Sequence, residues 1–141
     1  FDLGVYPLSA LIHLFGAPTS VSGSTVTIAT GADGAGAAVL AYPEHVAQVS
    51  FSKIGVSRRP NEIQGELGTI EIDEITAPRE IELSLRDGTR TAEHVEAASN
   101  NMVYEVLRFA ALVRGEDDPA PDQQRTLAVL RAVEAIRGTS A

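Results

Sequence analysis

With 141 residues, 44% of them apolar, the chain has the length of one domain and enough hydrophobic material for a buried core, which excludes a disordered polyampholyte or a collagenous repeat. Eleven Lys and Arg against nineteen Asp and Glu give a formal charge of −8, which repels phosphate backbones and anionic lipid heads; the adjacent basic pair Arg58 and Arg59 is too short for a nucleic-acid footprint. Without cysteine there is no disulfide framework, no thiolate nucleophile and no cysteine metal site, so a reducing, cytoplasmic location is expected.

Leu8, Leu11, Ile12 and Phe15 recur at the spacing of one helical face, and Gly16 with Pro18 ends that helix. Asp2 is the one side chain among the first 32 residues certain to be charged at neutral pH, whereas residues 62–96 carry ten acidic groups. So apolar a front end expects a cover, and the chain is expected to be a piece of a longer polypeptide whose missing part lies upstream.

From Val21 to His94 short β-rich runs alternate with turn residues: Val21–Ala29, Ala37–Tyr42, Val46–Lys53, Asn61–Gly65, Thr69–Asp73, Glu80–Leu85 and Thr89–His94. The intervening Gly, Pro and Asp residues predict hairpins, hence antiparallel pairing. A helix follows from an Asn100 or Asn101 cap, with Met102, Val103, Val106, Leu107, Ala110 and Val113 on one stripe. Asp122 is the expected cap of a last helix, Gln123–Arg137, whose inner face would be Leu127, Leu130, Val133 and Ile136. The order predicts an α+β fold, an open and predominantly antiparallel sheet with helices on one face, the other face facing water or a second subunit. Apolar runs are broken well before about 18 residues, so no membrane span is predicted.

The glycine-dense stretch Gly31–Gly36 lacks the G-x-G-x-x-G order between strand and helix, and is expected to be a flexible hairpin loop. No serine sits in a nucleophile elbow. The three histidines, His13, His45 and His94, are too scattered for a triad or a metal centre, and structural or surface roles are expected for them. Asp2 and Tyr6 stand out, because i, i+4 spacing sets a carboxylate and a phenol on one face of a helical turn, with His13 seven residues on. The plain alternative is that Asp2 caps the helix, Tyr6 is a core aromatic and His13 a buried, satisfied imidazole.

Asp2-Leu3-Gly4-Val5-Tyr6-Pro7 running into Leu14-Phe15-Gly16-Ala17-Pro18 resembles the opening of the C-terminal domain of Gfo/Idh/MocA-type oxidoreductases, nearest to their dimeric dihydrodiol dehydrogenase branch. Tyr42-Pro43, Ile63 to Ile70 and Asn100 to Glu105 follow in that family's order, so the resemblance spans nearly the whole chain. It implies that residues 1–141 are a C-terminal substrate-binding and oligomerisation domain, an N-terminal Rossmann domain being absent from this chain. NAD or NADP would be bound mainly by that absent domain, which would also bring the family's Glu-Lys-Pro lysine. The sole lysine here, Lys53, has no proline after it.

The resemblance further implies that Asp2 and Tyr6, matching the tyrosine form of a D-x-x-x-H/Y pair, are the catalytic residues contributed by this half, with His13 a substrate-binding candidate. Oxidising a carbinol needs a base for the hydroxyl proton as hydride leaves. An ordinary phenol is less than about 1% ionised at neutral pH, so it needs a neighbouring ammonium to serve. The implied substrates are sugars, polyols or diols, the implied assembly a homodimer through the open sheet face, and the isolated fragment is expected to be inactive. A non-catalytic dimerisation or ligand-binding module is the alternative.

Overall fold

The spacing that predicts the first helix is realised as α1 (Val5–Phe15), in a computed structural model that describes residues 2–138. Strands β1 (Ser20–Thr27), β2 (Asp33–Ala41), β3 (Val46–Ser52), β4 (Asn61–Gln64), β5 (Gly68–Ile72), β6 (Glu80–Leu85) and β7 (Arg90–His94) follow, then α2 (Met102–Val113) and α3 (Ala120–Gly138). This is the expected α+β order, but the strands form two antiparallel sheets, β1-β2-β3 and β4-β5-β6-β7. The chain divides accordingly into two compact units, Phe1–Ser57 with Pro119–Ala141, and Arg58–Asp118.

In the first unit Pro7 occupies the first turn of α1, where no backbone N–H is required, and Gly16 takes φ 79° and donates its N–H to Ile12 O at 3.0 Å. Pairing of Val21 with Leu40 and of Leu40 with Ala47, and of Gly23 with Ala38 and of Ala38 with Val49, sets one sheet face inward. Against it α1 contributes Leu8 and Ile12, and α3 contributes Val129, Ala132 and Ile136. Leu8, Leu40 and Ile136 are fully buried, each worth about 1.5–3 kcal/mol relative to exposure. Tyr42 closes one end of this core. Its ring stacks on His45 at 4.3 Å and meets Phe15 edge-on at 6.1 Å, and its hydroxyl donates to Gly16 O at 3.2 Å.

Three local expectations are corrected. α3 begins at Ala120, with Pro121 in its first turn, so Asp122 lies inside the helix rather than at its cap. Of its expected inner face Ile136 is buried and Val133 packs on the core, but Leu127 and Leu130 are 53% and 52% exposed, and Val129 and Ala132 are buried instead. Either stripe satisfies a 3.6-residue period, and the small side chains at 128 and 132 permit the closer approach to α1. The glycine-dense stretch, finally, turns only at Ile28–Ala32, and residues 33–36 are paired in β2. Gly36 makes room for a ring, since a Cβ there would lie 2.4 Å from Phe51 Cζ.

Gly23 is tighter still, because an added Cβ would meet the backbone oxygen of Ala37 at 2.6 Å and Ala38 Cβ at 2.8 Å. Gly23→Ala is expected to cost about 1–3 kcal/mol, read from chemical denaturation; an unchanged midpoint would show that β1 and β2 are not in this register.

The second unit is the four-stranded meander with α2. Ile63, Ile70 and Leu83 share one face, on which Ile63 and Ile70 are partly covered and Leu83 is exposed, and every fully buried residue among those described belongs to the first unit. Asp87 accepts from Thr89 N at 2.8 Å beside Gly88 at φ 92°, the turn chemistry that reverses β6 into β7. The Asn100 side chain, not that of Asn101, caps α2, accepting from Met102 N at 3.1 Å. No residue of α2 is buried: Met102, Val103, Val106, Leu107 and Val113 of the expected inner stripe are 40–69% exposed. Periodicity marked the stripe but could not name its cover. Among the described residues no helix is long and apolar enough to cross a membrane.

Candidate functional site

Asp2 stands two residues before Gly4, the residue that precedes α1, and makes no cap, since no side chain caps that helix. Its Oδ2 lies 2.9 Å from Lys53 Nζ, the side chains being 68% and 33% exposed. Along β3 the alternation sends Ala47, Val49 and Phe51 toward the helices, and Lys53 is the next position in that series. Its backbone is held on both sides. Lys53 N donates to Gly34 O at 2.7 Å, and Ser52 Oγ accepts from the N–H groups of Ile54 (3.1 Å) and Gly55 (2.8 Å). Hydrogen bonding from the Lys53 ammonium, then its charge, holds the Asp2 carboxyl below the usual carboxylate range.

Tyr6 projects from the first turn of α1, 53% exposed, and its hydroxyl has no hydrogen-bond partner among the described residues. It is not a core aromatic. An acid–ammonium pair and an unengaged phenol thus flank the entry to one helix.

His13 is exposed and lies seven residues beyond Tyr6, about 10 Å along the helix axis. Its Nδ1 lies 2.8 Å from Arg125 Nη1, and Arg125 also pairs with Asp122. A guanidinium only donates, so Nδ1 is the acceptor in this contact. The pair lines a shallow concavity of about 290 Å³ with Gln124 and Pro121. Asp2 and Tyr6 therefore share one end of α1, and His13 occupies the other.

Sequence reasoning passed over Lys53 because no proline follows it. The available signals were that it is the chain's sole lysine and that it continues the 47, 49, 51 alternation onto the helix-facing side. On the opposite side of the same sheet Ser22, Ser24, Ala37, Val39, Gln48 and Ser50 line a second concavity of about 420 Å³ that contains no ionisable group. Among the described residues no group of three His, Asp or Glu gathers as metal ligands.

No family model matches the chain. It is 34% identical over 138 residues to scyllo-inositol 2-dehydrogenase (NADP(+)) IolU of Bacillus subtilis, a match covering 96% of this chain and 42% of that protein. It is 31% identical over 112 residues to the uncharacterized oxidoreductase YgjR of Escherichia coli, covering 79% and 34%. These likenesses are consistent with a C-terminal domain of the Gfo/Idh/MocA oxidoreductases. UDP-N-acetylglucosamine 3-dehydrogenase GnnA from Acidithiobacillus ferrooxidans shares the fold, with a TM-score of 0.69 at 20% identity over 98% of this chain and 47% of that one. The chain thus spans less than half the length of the relatives it matches, and its fold is that of the C-terminal domain in Gfo/Idh/MocA proteins.

Proposed function

We propose that this chain is the substrate-side, C-terminal half of an NAD(P)-dependent dehydrogenase acting on a carbinol carbon of a sugar, polyol or diol. The observation that carries this is the exposed Asp2 carboxylate, paired with Lys53, at the same end of α1 as the unengaged Tyr6, on a chain 34% identical to an inositol dehydrogenase. The described residues do not fit a dinucleotide. The glycines that would cradle its phosphates are spent inside β2, Gly36 beneath Phe51, and no glycine-rich strand-to-helix turn exists among them. In this reading the nicotinamide, which supplies the hydride acceptor, belongs to an N-terminal Rossmann domain elsewhere in the polypeptide, and the isolated chain is inactive.

Within this half the work is orientation and proton transfer. The Asp2 carboxylate accepts a hydrogen bond from the substrate and fixes the carbinol, so that its O–H faces Tyr6 and its C–H faces away from α1. As the C–H electron pair leaves and C=O forms, the hydroxyl proton passes to the Tyr6 oxygen. The ammonium of the absent domain supports the phenolate. His13, bound to Arg125 about 10 Å away, can touch only a substrate long enough to run along α1.

The charge-free outer face of β1-β2-β3 serves as the homodimer contact, since small uncharged side chains let two sheets approach without burying unpaired charge. Ala37→Glu in its centre is expected to convert the dimer to monomer in sedimentation analysis; an unchanged mass would place the interface elsewhere.

The test of the function is a steady-state screen of the polypeptide that carries both domains, against polyols and sugars with NAD and NADP. Formation of reduced nicotinamide with at least one polyol supports the proposal. Absence of turnover across the panel favours the non-catalytic dimerisation or ligand-binding module.

A further inference from the structure

We propose that Lys53 is a positioning residue for Asp2: its ammonium, on the residue that follows β3, holds the Asp2 carboxylate in place at the entry to α1 before substrate arrives. This rests on the dehydrogenase reading above and extends it, because that reading draws its only ammonium from the absent domain.

The argument is geometric. Asp2 lies ahead of α1 on a short turn, and no helical hydrogen bond or cap orients it. A carboxylate so exposed samples many rotamers unless something pins it. The 2.9 Å contact to Lys53 Nζ is what pins it, and Lys53 is itself held at the backbone. The backbone bond to Gly34 O ties residue 53 to β2, and Ser52 Oγ closes the turn around it. A flexible lysine stem would ordinarily waste such a pair in rotamer entropy. Here its base is fixed and two-thirds of the side chain is covered, so fewer arrangements are lost on pairing. The ammonium keeps two further N–H donors, which suit a substrate hydroxyl as a second acceptor. The charges that bear on the carboxylate are Lys53 and, more weakly, the positive charge at the chain start; no other ionisable side chain among the described residues contributes. In the two-domain polypeptide the chain-start charge is replaced by a peptide bond, which leaves Lys53.

The pair thus separates two duties that one lysine would otherwise combine. Lys53 serves the carboxylate, and the lysine of the nucleotide-binding domain is left to serve the phenol. Removing Lys53 should therefore disturb how the substrate is held and at what pH the site works, without removing the proton acceptor.

The experiment uses the two-domain polypeptide and measures kcat, KM and the pH profile of kcat/KM for Lys53→Met, Lys53→Arg, Asp2→Asn and the Lys53→Met/Asp2→Asn double variant. Lys53→Met is expected to lower kcat/KM about ten-fold, short of the roughly hundred-fold that an ångström of misplacement can cost. It should also move the acid limb to higher pH, since the carboxylate loses the cation that keeps it ionised. Lys53→Arg restores both, and in the Asp2→Asn background Lys53→Met has no further effect. Lys53→Gln carries the same expectation should the Met variant fold poorly.

If Lys53→Met and Lys53→Gln leave kcat/KM and the acid limb at wild-type values while Asp2→Asn is severely impaired, the positioning role is overturned and the dehydrogenase reading stands. Full additivity in the double variant overturns it equally. If Asp2→Asn is itself silent, Asp2 is no part of the site, and both assignments fall together.

Discussion

Tyr6→Phe, introduced into the proposed two-domain polypeptide, is expected to lower kcat by about 10²–10⁴-fold, the range a positioned proton-transfer group supplies. The substitution removes one oxygen and keeps the ring. Because Tyr6 is 53% exposed and its hydroxyl holds no internal hydrogen bond among the described residues, folding stability should change by less than about 0.5 kcal/mol. A loss confined to kcat, with KM within a few-fold, marks an interaction made in the transition state rather than in the ground state. Steady-state kinetics beside a thermal melt separates this from unfolding. Turnover within a few-fold of wild type would remove Tyr6 as the proton carrier.

Asp2→Asn should be the second most damaging change, lowering kcat/KM by about 10²-fold through loss of substrate orientation. It also carries a pH signature. The Lys53 ammonium holds the Asp2 carboxyl below its ordinary value, so the ionised form persists to lower pH than for a free carboxyl. Wild-type kcat/KM should accordingly stay level through the usual carboxylate range before falling, and the amide variant should lack that limb. The same sign applies to stability. The contribution of the pair is fully present above the unfolded-state value of about 3.9 and is lost as pH falls through the lower folded value. At this exposure it is a small contribution, and the catalytic profile is the sharper readout.

Much of this was legible in the sequence, because turn chemistry and periodicity are local. Gly16, Gly31 and Gly88 each take the positive φ that glycine alone adopts cheaply, and all seven strands lie within a few residues of where the alternation of apolar and turn residues puts them. What failed was whatever depended on a distant partner. Gly36 reads as loop until Phe51 is known to cross it, fifteen residues away. Leu127 and Leu130 look like core until Ala128 and Ala132 are seen to pack there instead. The stripe on α2 was recognisable as apolar, yet its covering was not, since a helix face carries no address for what buries it.

The candidate site divides along the same line. Asp2 and Tyr6 were visible as a spaced pair, because four residues is a local relation. The contact between Asp2 and Lys53 joins the start of the chain to the end of its third strand, and no spacing rule reaches across that interval. The two glycines of β2 that imitate a phosphate loop show the converse hazard. A composition that suggests chemistry was consumed by packing.

The most direct measurement is a crystal structure of the two-domain polypeptide with nicotinamide and a polyol substrate or its ketone product bound. The account predicts the reacting oxygen within about 2.6–3.2 Å of the Tyr6 hydroxyl, with the Asp2 carboxylate on the same substrate and still paired with Lys53. A substrate seated against other elements, with Tyr6 and Asp2 left in open solvent, would contradict it.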